Sequence, residues 1–263
     1  METQASQTDQ ASAPAATNAA TPATVTLDKP CLQDVGSAKP FWFRTAAGAM
    51  LVGVVLGRGR TGLVLAHGRG GDLCEWLPRA QGFAKQGVQA LAFDFEGFGD
   101  SRPGSGPDTG IVTDVVAAAK QLRRRGADRI VLIGSSMGAT AVLAAATRIH
   151  PPVAGVVSLS GPGAFGAVNA WAAMPRLRVP VLFVSADDDQ PFLGAARAMY
   201  RKVRVDDKRL LIVRRGHGSV ILAYPEQGPK VLAAIRRFIA ITATPEPYSA
   251  PITPAQARST SFQ

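Results

Sequence analysis

The sequence is poor in cysteine, histidine and aromatic residues, and it has no long apolar run. It contains 263 residues, of which 2 are Cys, 3 are His and 6% are aromatic. Cys31 and Cys74 are too few for a disulfide-dense scaffold, and they lack the C-x-x-C spacing of a zinc site. Gly, Arg or Asp interrupts the aliphatic stretches before they reach the roughly 18 residues that a transmembrane helix requires. We therefore expect neither a cysteine-rich module nor a transmembrane segment.

The composition predicts one globular domain between two tails. Hydrophobic residues make up 46% of the chain and charged residues 18%, which is ordinary for a globular protein. Residues 1–38 are rich in Ala, Thr, Gln, Ser and Pro, so we predict a disordered tail there. Four prolines after residue 243 prevent a regular helix, which predicts a Pro-rich tail over 244–263. The domain is then expected to cover residues 39–243.

The predicted domain is basic. The formal net charge of the chain is +10, and arginines occur in short clusters such as Arg123-Arg124-Arg125. No nucleic-acid-binding signature accompanies these clusters, so no specific nucleic-acid binding is expected. We interpret them as a solvated basic surface, with a polyanion or membrane-surface contact as the alternative.

Short apolar runs alternate with amphipathic segments along the domain. This alternation predicts an α/β fold, with a mostly parallel central sheet and helices on both faces. Predicted strands are 50–56, 62–66, 88–93, 129–133, 155–159, 181–185 and 209–213. Predicted helices are 73–86, 108–125, 136–149, 191–203 and 227–241.

The sharpest local motif is Gly134-Ser135-Ser136-Met137-Gly138, a G-x-S-x-G sequence. It follows a predicted strand directly and precedes an alanine-rich predicted helix. A nucleophile on such a tight strand-to-helix turn needs small flanking residues, and the helix amino terminus favours developing negative charge. Ser136 is therefore the candidate nucleophile. The alternative is a glycine-rich turn that only closes a strand–helix unit.

A second glycine-rich loop begins at His67 and continues through Gly68-Arg69-Gly70-Gly71. A loop of this type after a strand can direct a backbone N–H at an oxyanion, beside the N–H of the residue after the nucleophile. The candidate oxyanion donors are thus the main-chain N–H groups of Arg69 and Met137. For His67 we favour a structural role in fixing the loop by hydrogen bonds.

Few residues are candidates for the general base that would activate Ser136 and for its acidic partner. His150 precedes two prolines at a predicted helix end, which is typical of a surface position. His217 lies between two glycines just after the last predicted strand, and a neutral imidazole there suits a general base for a serine. The acid is expected in the cluster Asp187-Asp188-Asp189, which follows a predicted strand but is also compatible with a solvated turn.

With these motifs, residues 41–242 resemble a serine hydrolase of the α/β-hydrolase superfamily. Asp94-Phe95-Glu96-Gly97-Phe98-Gly99-Asp100-Ser101 is similar to the family's D-x-R-G-x-G-x-S turn, with Glu96 in place of the usual Arg. Residues 179–189 resemble the family's P-V-L-x-x-x-G-x-x-D segment, which implies that Asp189 is the acid, with Asp187 as the alternative. The resemblance also implies the triad order Ser, Asp, His and no metal or organic cofactor.

The resemblance implies a small-molecule ester as substrate. Residues 160–180 have room for one short helix near 165–174 but not for a cap domain, as in dienelactone hydrolases and compact carboxylesterases. Candidate pocket residues are His67, Phe165 and Trp171, although the two aromatic residues also suit core packing. A serine nucleophile favours an esterase over a dienelactone hydrolase, which uses cysteine. A peptidase or thioesterase of this fold, and a non-catalytic binding protein, are the alternatives.

The two cysteines suit either one disulfide or two unrelated thiols. A Cys31–Cys74 bridge would attach the amino-terminal segment to the domain and would close a loop of about 42 residues, worth roughly 3 to 4 kcal/mol. It would also favour an extracytoplasmic location, in keeping with an amino terminus that resembles the linker after a signal peptide. Two free thiols would instead favour the cytoplasm.

Overall fold

The computed structural model describes residues 26–33, 35–106 and 110–243. Residues 1–25 of the tail predicted over 1–38, and the whole tail predicted over 244–263, lie outside the described residues. The ten strands are β1 (Phe41–Arg44), β2 (Met50–Leu56), β3 (Thr61–Ala66), β4 (Gln89–Phe93), β5 (Arg129–Ser135), β6 (Gly155–Leu159), β7 (Ala164–Phe165), β8 (Val168–Asn169), β9 (Val181–Ala186) and β10 (Lys208–Val213). The six α-helices are α1 (Leu77–Ala84), α2 (Ile111–Arg124), α3 (Met137–Ala145), α4 (Ala170–Ala173), α5 (Phe192–Lys202) and α6 (Gly228–Ala243).

Eight of the strands form one mostly parallel sheet in the order β1-β2-β4-β3-β5-β6-β9-β10. Strands β3 to β6, β9 and β10 are parallel, and β2 is antiparallel to both β1 and β4. We call the edge where the parallel strands end the carboxyl edge, and the opposite one the amino edge. In open α/β sheets the carboxyl edge is where ligands bind.

Two apolar layers cover the sheet. Helices α2, α3 and α5 contribute to the cluster on one face, and α1 and α6 contribute to the cluster on the other. Strand β4 shows how the sequence achieves this, because Leu91 and Phe93 belong to the first cluster while Ala90 and Ala92 belong to the second. Alternate side chains of a strand point to opposite faces, so an apolar run is buried on both. The predicted α/β architecture, a mostly parallel sheet with helices on both faces, is therefore confirmed.

The structure adds short elements that the sequence analysis missed. Strand β1 was not predicted, and it pairs with β2 at one side of the sheet. The single helix predicted near 165–174 is instead the hairpin of β7 and β8 followed by α4 and a 3₁₀ turn over Met174–Arg176. Asn169 caps α4 by accepting a hydrogen bond from the N–H of Ala172. These short elements leave no room for a cap domain over residues 160–180.

The structure also places part of the segment predicted as a disordered tail. Leu27, Cys31 and Leu32 pack against the cluster of α1 and α6, and a 3₁₀ turn spans Pro30–Leu32. Cys31 forms a disulfide with Cys74, as one of the two sequence hypotheses expected. The described domain therefore begins before residue 39, because the bridge and the apolar contacts hold this segment. Among the described residues, no helix has both the length and the apolar character needed to cross a bilayer.

Candidate active site

The turn between β5 and α3 holds Ser136 in an uncommon backbone conformation. Ser136 has φ 50° and ψ −113°, a positive φ that L-residues rarely adopt. A Cβ on Gly134 would overlap the carbonyl of Gly138, and one on Gly138 would overlap the carbonyl of Ala66. The two glycines of the motif are therefore required by close backbone packing. Such strain is often found at functional sites.

Ser136 lies in a chain of hydrogen bonds with His217 and Asp189. The distance from Ser136 Oγ to His217 Nε2 is 2.8 Å, and His217 Nδ1 lies 2.9 and 3.1 Å from the two oxygens of Asp189. Asp189 is buried, whereas Asp187 is exposed and is not among the hydrogen-bond partners of His217. His150 is exposed at the far end of the nucleophile helix. The structure thus brings together Ser136, His217 and the first of the two candidate acids.

The loop that carries His217 is fixed by residues that the sequence analysis did not identify. Ser160 Oγ accepts the N–H of Gly218 at 2.9 Å, and Ser135 Oγ accepts the N–H of Ser219 at 3.0 Å. On the other side of His217, the side chain of Gln227 bonds to the main chain of residues 214 and 215. No local motif indicates these contacts, because the partners are distant in sequence.

His67 is a structural residue and not a pocket residue. It is fully buried, its Nδ1 lies 2.7 Å from the carbonyl of Gly68, and its Nε2 accepts the N–H of Phe95 at 3.1 Å. Burial lowers the pKa of His67, partly opposed by its hydrogen bond to Gly68. Both ring nitrogens are occupied, so the assignment of His67 to the substrate pocket was wrong.

The glycine-rich loop after β3 lies against Ser136. A Cβ on Gly68 would stand 3.5 Å from the Cβ of Ser136, which places the next residue, Arg69, beside the nucleophile. Met137 is the first residue of α3, where a helical N–H has no acceptor within the helix. The N–H of Gly68 is already bonded to Glu75 Oε2 at 2.8 Å. The arrangement therefore leaves Arg69 and Met137 as candidate donors.

An apolar cavity of about 450 Å³ opens beside His217. Its walls are formed by Trp171 and the segment 162–163 on one side and by the start of α5, including Phe192, on the other. The ring of Phe192 lies 4.3 Å from the imidazole of His217. The indole of Trp171 occupies the space next to Gly163, so a Cβ there would overlap it. Phe165 and Trp171 both pack against the core cluster of α2 and α3, and of the two only Trp171 lines this cavity.

The turn after β4 contains the buried carboxylate of Asp94. Asp94 accepts the N–H groups of Leu73 and Asp100, and Lys29 from the amino-terminal segment lies 3.6 Å away. Burial raises the pKa of Asp94, partly opposed by these hydrogen bonds and by Lys29. Burial lowers the pKa of Lys29, but its hydrogen bonds to Asp72 and Asp100 outweigh this, and the net pKa is raised. Lys29 thereby fixes both the loop at residue 72 and the turn at residue 100.

Glu96, which stands where the family usually has Arg, faces another carboxylate. Its N–H donates to Asp114 Oδ2 at 2.9 Å, while Asp114 Oδ1 is buried with no partner among the described residues. Burial, with a smaller contribution from the charge of Glu96, raises the pKa of Asp114 to about 7. Within the described ranges, no group of three or more His, Cys, Asp or Glu side chains is placed to hold a metal ion.

One family model and one curated relative match parts of this chain. A family model described as serine aminopeptidase, S33, matches residues 58–169. An uncharacterized protein YfhR of Salmonella typhi is 31% identical over 86 residues, which are 32% of this chain and 29% of that protein. The matched region thus spans less than a third of this curated relative.

Solved structures extend the likeness over most of the domain. The esterase Pf2001 of Pyrococcus furiosus superimposes with a TM-score of 0.70 at 17% identity, over 85% of this chain and 97% of that one. An esterase of Exiguobacterium antarcticum gives a TM-score of 0.62 at 13% identity, over 76% of this chain and 98% of that one. The solved structures confirm the predicted α/β-hydrolase fold, and the family model over residues 58–169 agrees with the resemblance to that superfamily.

Proposed function

We propose that this protein is a serine hydrolase that cleaves carboxylic esters through an acyl-enzyme intermediate. The observation that carries the proposal is the hydrogen-bond chain from Ser136 through His217 to Asp189. A hydroxyl in contact with an imidazole, which is itself held by a carboxylate, is the arrangement that activates serine as a nucleophile.

The proposed reaction has two halves. Ser136 Oγ attacks the ester carbonyl while His217 Nε2 accepts the hydroxyl proton, and Asp189 holds the imidazole by its Nδ1–H. The N–H groups of Met137 and Arg69 stabilise the tetrahedral oxyanion. The bond to the alcohol oxygen then breaks, and His217 gives its proton to the leaving alcohol. A water molecule repeats the sequence on the acyl-enzyme, which releases the acid and regenerates Ser136.

The apolar cavity supports an ester with an apolar acyl group. Its lining consists of Pro162, Gly163, Trp171, Pro191, Phe192, Gly194 and Ala195, none of which can carry a charge. Such a lining offers no carboxylate to pair with the ammonium group of a peptide amino terminus. An uncharged acyl chain is favoured there by the hydrophobic effect.

Two other functions remain as alternatives. The matching family model is described as a serine aminopeptidase, which favours a peptidase as the second candidate, and a thioesterase uses the same triad chemistry. The third candidate is a non-catalytic binding protein of this fold, which the chain of three triad-type residues disfavours.

Active-site labelling separates catalysis from binding alone. We expect a fluorophosphonate probe to label the wild-type protein at Ser136 and to leave folded Ser136→Ala unlabelled. We also expect Ser136→Ala to lose turnover by several orders of magnitude with an unchanged circular dichroism spectrum. Labelling or wild-type turnover in this variant would overturn the proposal.

A substrate panel then separates the ester from the amide and the thioester. The panel comprises p-nitrophenyl acetate, butyrate, octanoate and laurate, the corresponding acyl thioesters, and aminoacyl p-nitroanilides. We expect kcat/KM to be highest for the oxygen esters and to depend on acyl length. A higher kcat/KM for the anilides would favour the peptidase, and one for the thioesters would favour the thioesterase.

A further inference from the structure

A large cleft lies at the amino edge, away from Ser136. It has a volume of about 700 Å³ and lies between the β2–β3 turn, the start of β4, the end of α2 and residues 35–38. Its size is within the range of small-molecule sites. The proposed ester hydrolysis does not use it.

The walls of this amino-edge cleft are held in place by backbone packing. Gly57 and Gly59 have positive φ values, and a Cβ on either would overlap the main chain at Val88 or Gly87. The side chain of Gln89 donates to the carbonyl of Gly59 at 2.7 Å and to that of Arg125 at 3.1 Å. Gln89 therefore ties the β2–β3 turn to the end of α2.

Arg58 and Arg125 give the cleft its charge. Both are exposed and both line the cleft, and among the described residues that line it there is no carboxylate. The guanidinium of Arg125 lies over the ring of Phe41, 5.1 Å from its centroid, which orients it without neutralising it. The nearby carboxylate of Asp128 is paired with Arg60.

The surroundings of the cleft are also positive. A basic residue lies shortly before each parallel strand, where the chain returns to the amino edge; these are Arg60, Lys85, Arg125, Arg148, Arg178 and Arg204. The carboxylates on the described connections at this edge are Asp128, Asp206 and Asp207, of which Asp207 is paired with Arg209. Exposed cations along one edge attract anions, and the attraction weakens as salt is added.

Part of the cleft lining is apolar. Val35, Ala38, Val55 and Leu56 contribute to it together with the two arginines. A free inorganic anion would leave these side chains uncovered, whereas an amphiphile would cover them and pair with the arginines at once.

We propose that the amino-edge cleft binds an anionic amphiphile. Its charged head group pairs with Arg58 and Arg125, and the adjoining part of its chain lies on Val35, Val55 and Leu56. The cleft opens at the edge opposite to Ser136, so binding there does not occupy the candidate active site. The proposal therefore stands independently of the proposed hydrolysis.

Calorimetric titration of the full chain with dodecyl phosphate, kept below its critical micelle concentration, tests the proposal. The test variant is Arg58→Gln with Arg125→Gln. The matched control is Arg44→Gln with Arg102→Gln, which removes the same charge near the carboxyl edge and includes Arg102, 5.2 Å from the ring of Trp42. We expect the test variant to bind at least tenfold more weakly and the control to bind as the wild type does. Hydrogen bonds between charged partners support an effect of this size.

Three further probes define the ligand. We expect dodecyltrimethylammonium and inorganic phosphate to bind at least tenfold more weakly than dodecyl phosphate, and added salt to weaken the dodecyl phosphate complex. Vesicles of phosphatidylglycerol, compared with phosphatidylcholine, show whether membrane lipids are bound as well as free amphiphiles. If the double variant does not fold, Arg58→Gln alone replaces it, because Arg58 is exposed; a several-fold loss is then expected.

The outcomes that would overturn the proposal are distinct from a failure of the proposed function. Equal affinity in the test and control variants would mean that the probe binds elsewhere, for example in the cavity near His217. Equal binding of the cationic and anionic detergents would exclude recognition of charge. Tighter binding of a DNA duplex than of phosphatidylglycerol vesicles at the same salt concentration would assign the basic edge to nucleic acid.

Discussion

The N–H of Gly68 donates a hydrogen bond to Glu75 Oε2 at 2.8 Å, so a half-buried carboxylate holds the loop that faces Ser136. The same stretch is fixed twice more, by the ion pair of Asp72 with Lys29 and by the Cys31–Cys74 bridge. Three contacts over four residues leave this loop little freedom. An oxyanion donor requires a rigid loop, because a donor that must move into place contributes less to catalysis.

We predict that Glu75→Ala lowers kcat on a p-nitrophenyl ester about 10- to 100-fold with little change in KM, because the loop carrying Arg69 loses its anchor. Glu75→Gln keeps an oxygen acceptor for the N–H of Gly68 and should retain most of kcat. The control is Gln86→Ala, in the exposed turn after α1, which should leave both constants unchanged. A loss confined to KM would contradict the role of Glu75 as a positioning residue.

We predict that Asp189→Asn and His217→Ala each lower kcat/KM by on the order of 10³–10⁴, because Asp189 orients and stabilises the imidazolium. Asp187→Asn and His150→Ala are the matched controls, since both side chains are exposed and outside the hydrogen-bond chain. Steady-state kinetics on one ester, with melting temperatures for all four variants, provides the measurement. A severe loss of kcat/KM in Asp187→Asn alone would identify Asp187, and not Asp189, as the acid.

We predict that Asp114→Asn stabilises the protein more at pH 8 than at pH 5. The pKa of Asp114 is about 7 in the folded state, above the ordinary Asp value that holds in the unfolded chain. Stability from the protonated carboxyl is complete below pH 4 and is lost as the pH rises towards 7 and above, by at most about 4 kcal/mol. Asparagine keeps the acceptor for the N–H of Glu96 without the charge.

The measurement for Asp114 is the melting temperature of the variant minus that of the wild type at each pH. We expect this difference to rise by several degrees between pH 5 and pH 8. Asp206→Asn, at an exposed position, is the control and should show no such rise. A difference that stays constant with pH would mean that Asp114 does not titrate in this range.

We predict that removing the disulfide lowers the free energy of unfolding by about 3 to 4 kcal/mol, because the bridge closes a loop with a sequence separation of 43 residues. Chemical denaturation of wild type and Cys31→Ser with Cys74→Ser measures this loss. Thiol titration of the denatured, unreduced wild type should find no free thiol. Two free thiols would contradict the bridge and would return the predicted location to the cytoplasm.

The sequence by itself determined seven strands of the main sheet, the parallel arrangement and the nucleophile turn, although it did not indicate β1 or the β7–β8 hairpin. Each of these depends on short-range signals, such as an apolar run of five to seven residues or two glycines that flank Ser136. The strand β6 was predicted with the bounds that the structure gives, because a buried strand of a parallel sheet is apolar along its whole length. Because the chain contains only three histidines, the sequence alone made His217 a candidate general base.

The tertiary structure decided what holds these residues in place. Ser135 and Ser219 are 84 residues apart, and Gly218 and Ser160 are 58 apart, yet their hydrogen bonds fix the loop of His217. Phe165 and Trp171 could not be distinguished in sequence, since both are aromatic residues of the same short segment. In the structure both pack against the core, and only Trp171 also lines the cavity. Contacts between distant residues depend on how the layers meet, because local sequence restricts backbone conformation but does not set the distance between elements that are far apart in the chain.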